Sequence, residues 1–142
     1  MTTRVTGSCL CGGVAFTLTG PLRHAIACHC VQCRKTSGHY WSATAAAHTQ
    51  MTFQHETTLT WYQSSDFARR GFCGACGSTL FYERAGAGQI AISAGCLDTP
   101  TGLTEAQHIF TTDKGDYYTL PTGPEQFARW TPEATAVPED QR

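Results

Sequence analysis

The sequence predicts a single, mainly β domain. Three observations carry that prediction: short apolar segments set between turn residues, the absence of a sustained helical period, and paired cysteines able to staple distant parts of the chain. At 142 residues the chain has the length of one hydrophobic core. The domain is expected to occupy residues 1–130. A flexible tail is expected over 131–142, where Pro, Glu, Ala, Asp and Arg follow the last large anchor, Trp130.

Residues 14–18, 40–46, 59–62, 78–82 and 89–93 are short and rich in aromatic or β-branched side chains, and so read as strands. In 14–18 the larger apolar residues alternate, which turns Val14, Phe16 and Leu18 inward and leaves Thr17 outside. Gly12-Gly13, Gly20-Pro21, Gly86-Ala87-Gly88 and Pro100-Thr101-Gly102 supply turn chemistry between them. Only 30–37 and 124–130 have the composition for one or two helical turns.

Charge excludes some classes of function. A net charge of -1 with 15% charged residues, and a pI near 6.6, gives neither a basic stripe for nucleic acid nor a field for acidic surfaces. No run approaches the ~18 apolar residues of a membrane span, and the first thirteen residues lack a secretory apolar core. The expected setting is the reducing cytoplasm, where clustered cysteines point to metal or catalysis before disulfides.

Eight cysteines fall in a pattern. Cys9-Leu10-Cys11 and Cys73-Gly74-Ala75-Cys76 are two short chelating pairs, each followed at once by glycine. Glycine lets the chain take the left-handed angle that aims backbone N–H groups at sulfur. Four thiolates complete a zinc tetrahedron without a vacancy, the mark of a structural site, and here they would close a loop of roughly sixty residues. Disulfides or free buried thiols are the competing reading, disfavoured because such tightly spaced pairs form strained rings on oxidation.

Cys28-His29-Cys30-Val31-Gln32-Cys33 offers three more thiolates with no further ligand at suitable spacing. Three ligands leave a position for water or substrate, which separates a catalytic zinc from a structural one, although a closed structural site stays open as an alternative. With three thiolates the site carries net charge -1 and activates water poorly, but it suits an incoming thiol. His29, between two ligands, reads as a packing or hydrogen-bonding residue, or as a fourth ligand. Cys96 reads as a small core residue, or as a group that approaches the open site.

Arg34 and Lys35 follow Cys33, and Arg69 and Arg70 precede Cys73. They are candidates to bind substrate carboxylates, or are solvated charges that balance an anionic metal site. Tyr40, Trp41 and Trp61 read as core or cavity wall, His108 as a strand residue, and Asp98 as the start of a turn.

These motifs carry a resemblance. Gly7-Ser8-Cys9-Leu10-Cys11-Gly12-Gly13-Val14, the run from Cys28 to Lys35, Phe72-Cys73-Gly74-Ala75-Cys76-Gly77-Ser78-Thr79-Leu80, Gly95-Cys96-Leu97-Asp98 and His108-Ile109-Phe110 are similar to the glutathione-dependent formaldehyde-activating enzyme family, which also includes centromere protein V. The similarity extends over nearly the whole chain, through 124–130. It departs from similar members at Cys96, where they carry a small or hydroxyl residue, and near Tyr117 and Tyr118, where they carry a tryptophan.

The resemblance implies a zinc-stapled β-tent of antiparallel sheets with two zinc ions per chain. One would lie on Cys9, Cys11, Cys73 and Cys76, and the second on Cys28, Cys30 and Cys33. It also implies a carbon–sulfur lyase activity, the joining of glutathione sulfur to formaldehyde as S-hydroxymethylglutathione, with Cys28, Cys30 and Cys33 at the catalytic centre. The partner is then a small thiol such as glutathione, with no nucleic acid or membrane. The rival expectation is a non-catalytic zinc module for a protein partner or metal handling.

Overall fold

The computed structural model describes residues 3–131. Eleven strands and one α-helix follow in chain order: β1 Arg4–Ser8, β2 Ala15–Thr19, β3 Ala25–Cys28, α1 Val31–Ser37, β4 Trp41–Ala47, β5 Met51–His55, β6 Leu59–Gln63, β7 Ala68–Cys73, β8 Thr79–Arg84, β9 Gln89–Ser93, β10 Glu105–Ile109 and β11 Glu125–Gln126. The expected tail lies outside the described residues except for Thr131, which is buried.

Two sheets form the domain. One has the order β1-β2-β5, the other β11-β10-β3-β4-β9-β8-β7-β6. Pairing is antiparallel, as expected, except where β10 runs parallel to β3 and to β11. The sheets face one another over Phe16, Leu18, Leu80, Phe81 and Ile92, all nearly inaccessible to solvent. Burying each such side chain contributes about 1.5–3 kcal/mol. Phe16 packs tilted on Phe81 with centroids 5.4 Å apart and edge-on to Phe53 at 6.2 Å.

Two expectations give way. Thr17 is buried, 8% exposed. β2 is the central strand of its sheet, and the hydroxyl finds a partner in Gln54, donating to Oε1 at 3.2 Å. Residues 124–130 contain no helix. Glu125–Gln126 pairs with β10 instead, and Trp130 packs edge-on to Phe110 at 4.9 Å. That sheet edge outbids a weak local preference, since a helix this short gains little from propensity alone.

The long sheet extends past the shorter one. Around β3, β4 and β9, Trp41, Ala43 and Ala91 form a second apolar cluster with Cys33, against which Cys28, Cys30 and Tyr82 also pack. Among the described residues no helix is long and apolar enough to cross a membrane.

Candidate metal centres

The first cluster sits where two strands end in matching turns. β1 stops at Ser8, Cys9 receives a hydrogen bond on its backbone O from Gly12 N (3.2 Å), and Gly12 adopts φ +80°. β7 stops at Cys73, whose O accepts from Gly77 N (2.8 Å), and Gly77 adopts φ +79°. In each turn an N–H donates to sulfur: Val14 N to Cys9 Sγ at 3.2 Å, and Cys76 N to Cys73 Sγ at 3.4 Å.

The sulfurs of Cys9, Cys11, Cys73 and Cys76 all lie within 4.8 Å of one another. Cys11 Sγ is 3.7 Å from both Cys9 Sγ and Cys73 Sγ. A tetrahedron with Zn–S of about 2.3 Å has edges of about 3.8 Å, whereas a disulfide needs about 2.05 Å. The spacing therefore fits zinc, and all eight cysteines are free. Hydroxyl and backbone donors of Ser78 pull the Cys76 thiol down to about 5. Thr58 and the Cys76 N–H lower Cys73 as well.

The second cluster bridges the end of β3 and the start of α1. Cys28 closes β3, and Cys30 is the helix N-cap, its sulfur accepting from Cys33 N at 3.3 Å. Cys33 lies on the buried side of the first turn, and Gly38 at φ +86° ends the helix after two turns. Its three sulfurs also lie within 4.8 Å of one another.

Without a cation only one of these thiols ionises readily. Hydrogen bonds from Cys28 and Cys33 draw Cys30 down to about 2. The same bonds and burial hold Cys28 well above its ordinary range. Cys33 is pulled down by the Cys28 sulfur, but that of Cys30 and burial together push it up to about 11. A divalent ion displaces the two retained protons and offsets two of the three thiolate charges, so this donor set fits zinc.

A cavity of about 230 Å³ opens beside the three sulfurs, with Trp41, Tyr82, Phe67 and Phe110 among its walls. Arg70, on β7, reaches into it while 5% exposed. Its Nη2 donates to Cys33 Sγ at 3.3 Å and its Nε to Gln32 Oε1 at 2.7 Å, whereas the buried Nη1 has no hydrogen-bond partner. The guanidinium lies over the rings of Tyr82 (5.0 Å) and Trp41 (5.7 Å). Arg23 also lines the cavity and donates from Nη2 to Ala43 O at 2.8 Å, and burial lowers it to about 10.

The other basic residues lie outside the cavity lining. Arg34 donates from Nε to the backbone O of Asp113 at 3.1 Å and to that of His29 at 3.4 Å. Lys35 is exposed on α1. Arg69 faces solvent, paired with Glu83 at 2.8 Å and lying 3.9 Å over Trp61. Cys96 belongs to the core near the first cluster, its thiol donating to Ser93 O at 3.1 Å. Trp41 lines the cavity, while Asp98 accepts from Thr6 Oγ1 at 2.6 Å.

His29 points away from the sulfurs. Its Nδ1 is 2.7 Å from Tyr118 Oη and its Nε2 is 2.7 Å from His108 Nδ1. His108 Nε2 in turn lies 3.2 Å from Glu105 Oε1. In each of the first two contacts one partner donates and the other accepts, as the imidazole tautomers set, while His108 Nε2 faces the Glu105 carboxylate without an aligned hydrogen bond. Burial, with His108 next to it, brings His29 down to about 4, and burial also lowers His108. Both rings are therefore neutral at pH 7, and neither nitrogen of His29 is left for metal.

Sequence reasoning missed Gln32, Tyr82 and this histidine chain. Arg70 was a candidate, and the alternation of β7 in the structure, with Ala68 and Arg70 buried and Arg69 exposed, is what separates it from Arg69.

A model of the glutathione-dependent formaldehyde-activating enzyme family matches residues 4–113. Among solved structures, the crystal structure of a Rhodobacter sphaeroides protein, a structural-genomics target, is similar at 25% identity with a TM-score of 0.57, covering 66% of this chain and 88% of that one. None of the curated proteins matches.

Proposed function

The chain belongs to the glutathione-dependent formaldehyde-activating enzyme family, and from that premise we propose that it is a zinc-dependent enzyme of carbon–sulfur lyase type, joining a small thiol to an aldehyde. One observation carries the reading. Cys28, Cys30 and Cys33 gather without a fourth protein ligand among the described residues, and all three open onto a cavity that also holds Arg70.

Zinc bound by these sulfurs would supply the Lewis acidity that keeps an incoming thiol ionised near neutral pH. The remaining tasks fall to the chain. The aromatic wall excludes water, which strengthens polar contacts inside the cavity. Arg70 offers its unpaired Nη1–H to an anionic group of the substrate while Nη2 holds Cys33 and Gln32 holds Nε. In the addition, the thiolate sulfur forms a C–S bond to the carbonyl carbon. The π pair moves to oxygen, and the proton released by the thiol ends there. Nothing is oxidised or reduced.

Cys9, Cys11, Cys73 and Cys76 serve the fold in this account, a second zinc binding the end of β1 to the end of β7. Arg34, Lys35 and Arg69 take no direct part. The test is exchange spectroscopy by NMR of the hydroxymethyl thioether formed from formaldehyde and glutathione or smaller thiols. Exchange faster than in the zinc-free protein supports the proposal. No acceleration with any thiol and aldehyde pair would sink it.

A further inference from the structure

Resting on that reading, we infer that the second site takes a compact thiol with an apolar, ring-bearing body and one carboxylate close to its sulfur, in preference to the tripeptide glutathione. The cavity's size, lining and polar inventory agree on this.

Its volume, about 230 Å³, falls below the roughly 300–1,000 Å³ that accommodates drug-sized ligands. Aromatic and aliphatic side chains make most of the wall, among them Trp41, Phe67, Tyr82, Ile109 and Phe110. Such a lining rewards an apolar body and leaves the peptide groups of a longer ligand unpaired.

The polar groups present are mostly committed. Gln32 accepts from Arg70 Nε on Oε1 and donates from Nε2 to Ser64 O at 3.1 Å. Arg23 spends Nη2 on Ala43 O and Nε on His24 O. Among the described residues, Arg70 Nη1 is the one buried polar atom lining the cavity that lacks a partner. Its two unpaired N–H groups, both on one nitrogen, call for a single anionic group. Glutathione brings two carboxylates, an ammonium and two amides.

Arg70 also sets the spacing. The guanidinium that offers Nη1 touches the cysteine cluster through Nη2, 3.3 Å from Cys33 Sγ. An anion on Nη1 therefore sits beside the sulfurs, and the ligand's own thiol must lie near its carboxylate to reach the same place.

The test is calorimetric titration of the zinc-loaded full chain with 2-mercaptobenzoate, 4-mercaptobenzoate, thiophenol and glutathione. The expected order places 2-mercaptobenzoate tightest, by roughly tenfold or more over each of the others, the worth of one charge-assisted hydrogen bond. Arg70→Gln, checked for retained zinc and fold, should erase the advantage over thiophenol, read as the ratio of the two affinities within that variant. The wild-type ranking decides the matter even if that variant misfolds. Equal or tighter binding of glutathione, or of the 4-isomer, overturns the inference and leaves the thiol–aldehyde reading standing. No binding by any thiol overturns both.

Discussion

His29 Nε2 lies 2.7 Å from His108 Nδ1, a fully buried contact across 79 residues of sequence. It ties the loop between Cys28 and Cys30 to β10, and the chain continues to Tyr118 and Glu105. The contact holds two candidate metal ligands in place without touching the metal. His108→Ala leaves His29 with an unsatisfied nitrogen, so it should cost about 2–4 kcal/mol in urea unfolding. It should also weaken metal at the second cluster by about tenfold, measured by chelator competition. An unchanged metal affinity would assign the chain to packing alone.

Arg69 and Arg70 are neighbours with opposite surroundings. Arg69→Ala removes an exposed pair with Glu83 and should change stability by under about 1 kcal/mol, with activity unaltered. Arg70→Ala removes the group between Cys33, Gln32 and the cavity. Its activity should fall at least about tenfold. Lys35→Ala should behave like Arg69→Ala. Steady-state rates for all three variants check this contrast.

Two glycines, one in a metal turn and one in β1, separate strain from crowding. At Gly77, φ is +79° and an added Cβ would meet nothing within 4 Å, so Gly77→Ala pays only for the left-handed backbone, about 1–2 kcal/mol. At Gly7 a Cβ would lie 2.7 Å from Phe16 Cζ. Gly7→Ala should therefore destabilise more, about 2–3 kcal/mol, by overpacking the core. Thermal unfolding of the two variants gives the comparison.

Much of this was legible in the sequence because the carriers were local. Spacing and glycines separated the cysteines into a four and a three, and short aromatic- and β-branched-rich segments between turns located β2, β4, β6, β8 and β9 to within two residues. β3, with sequence AIAC, is too short and too small in side chain to announce itself, and β7 carries two arginines and a glycine. Both are strands because neighbours pair with them on each side. The histidine chain was illegible for a related reason. His29 and His108 meet through the parallel pairing of β10 on β3, a long-range choice of the sheet that no local pattern encodes. The orphaned Nη1 of Arg70 likewise exists only once β7, β8 and α1 surround it.

The division of labour between the two cysteine clusters is tested most directly by zinc stoichiometry per chain in wild type, Cys28→Ser and Cys9→Ser. Wild type should carry about two ions, and Cys28→Ser about one with the fold intact by near-ultraviolet circular dichroism. Cys9→Ser should lose soluble, folded protein. Equal loss of metal and fold in the two variants would contradict the account.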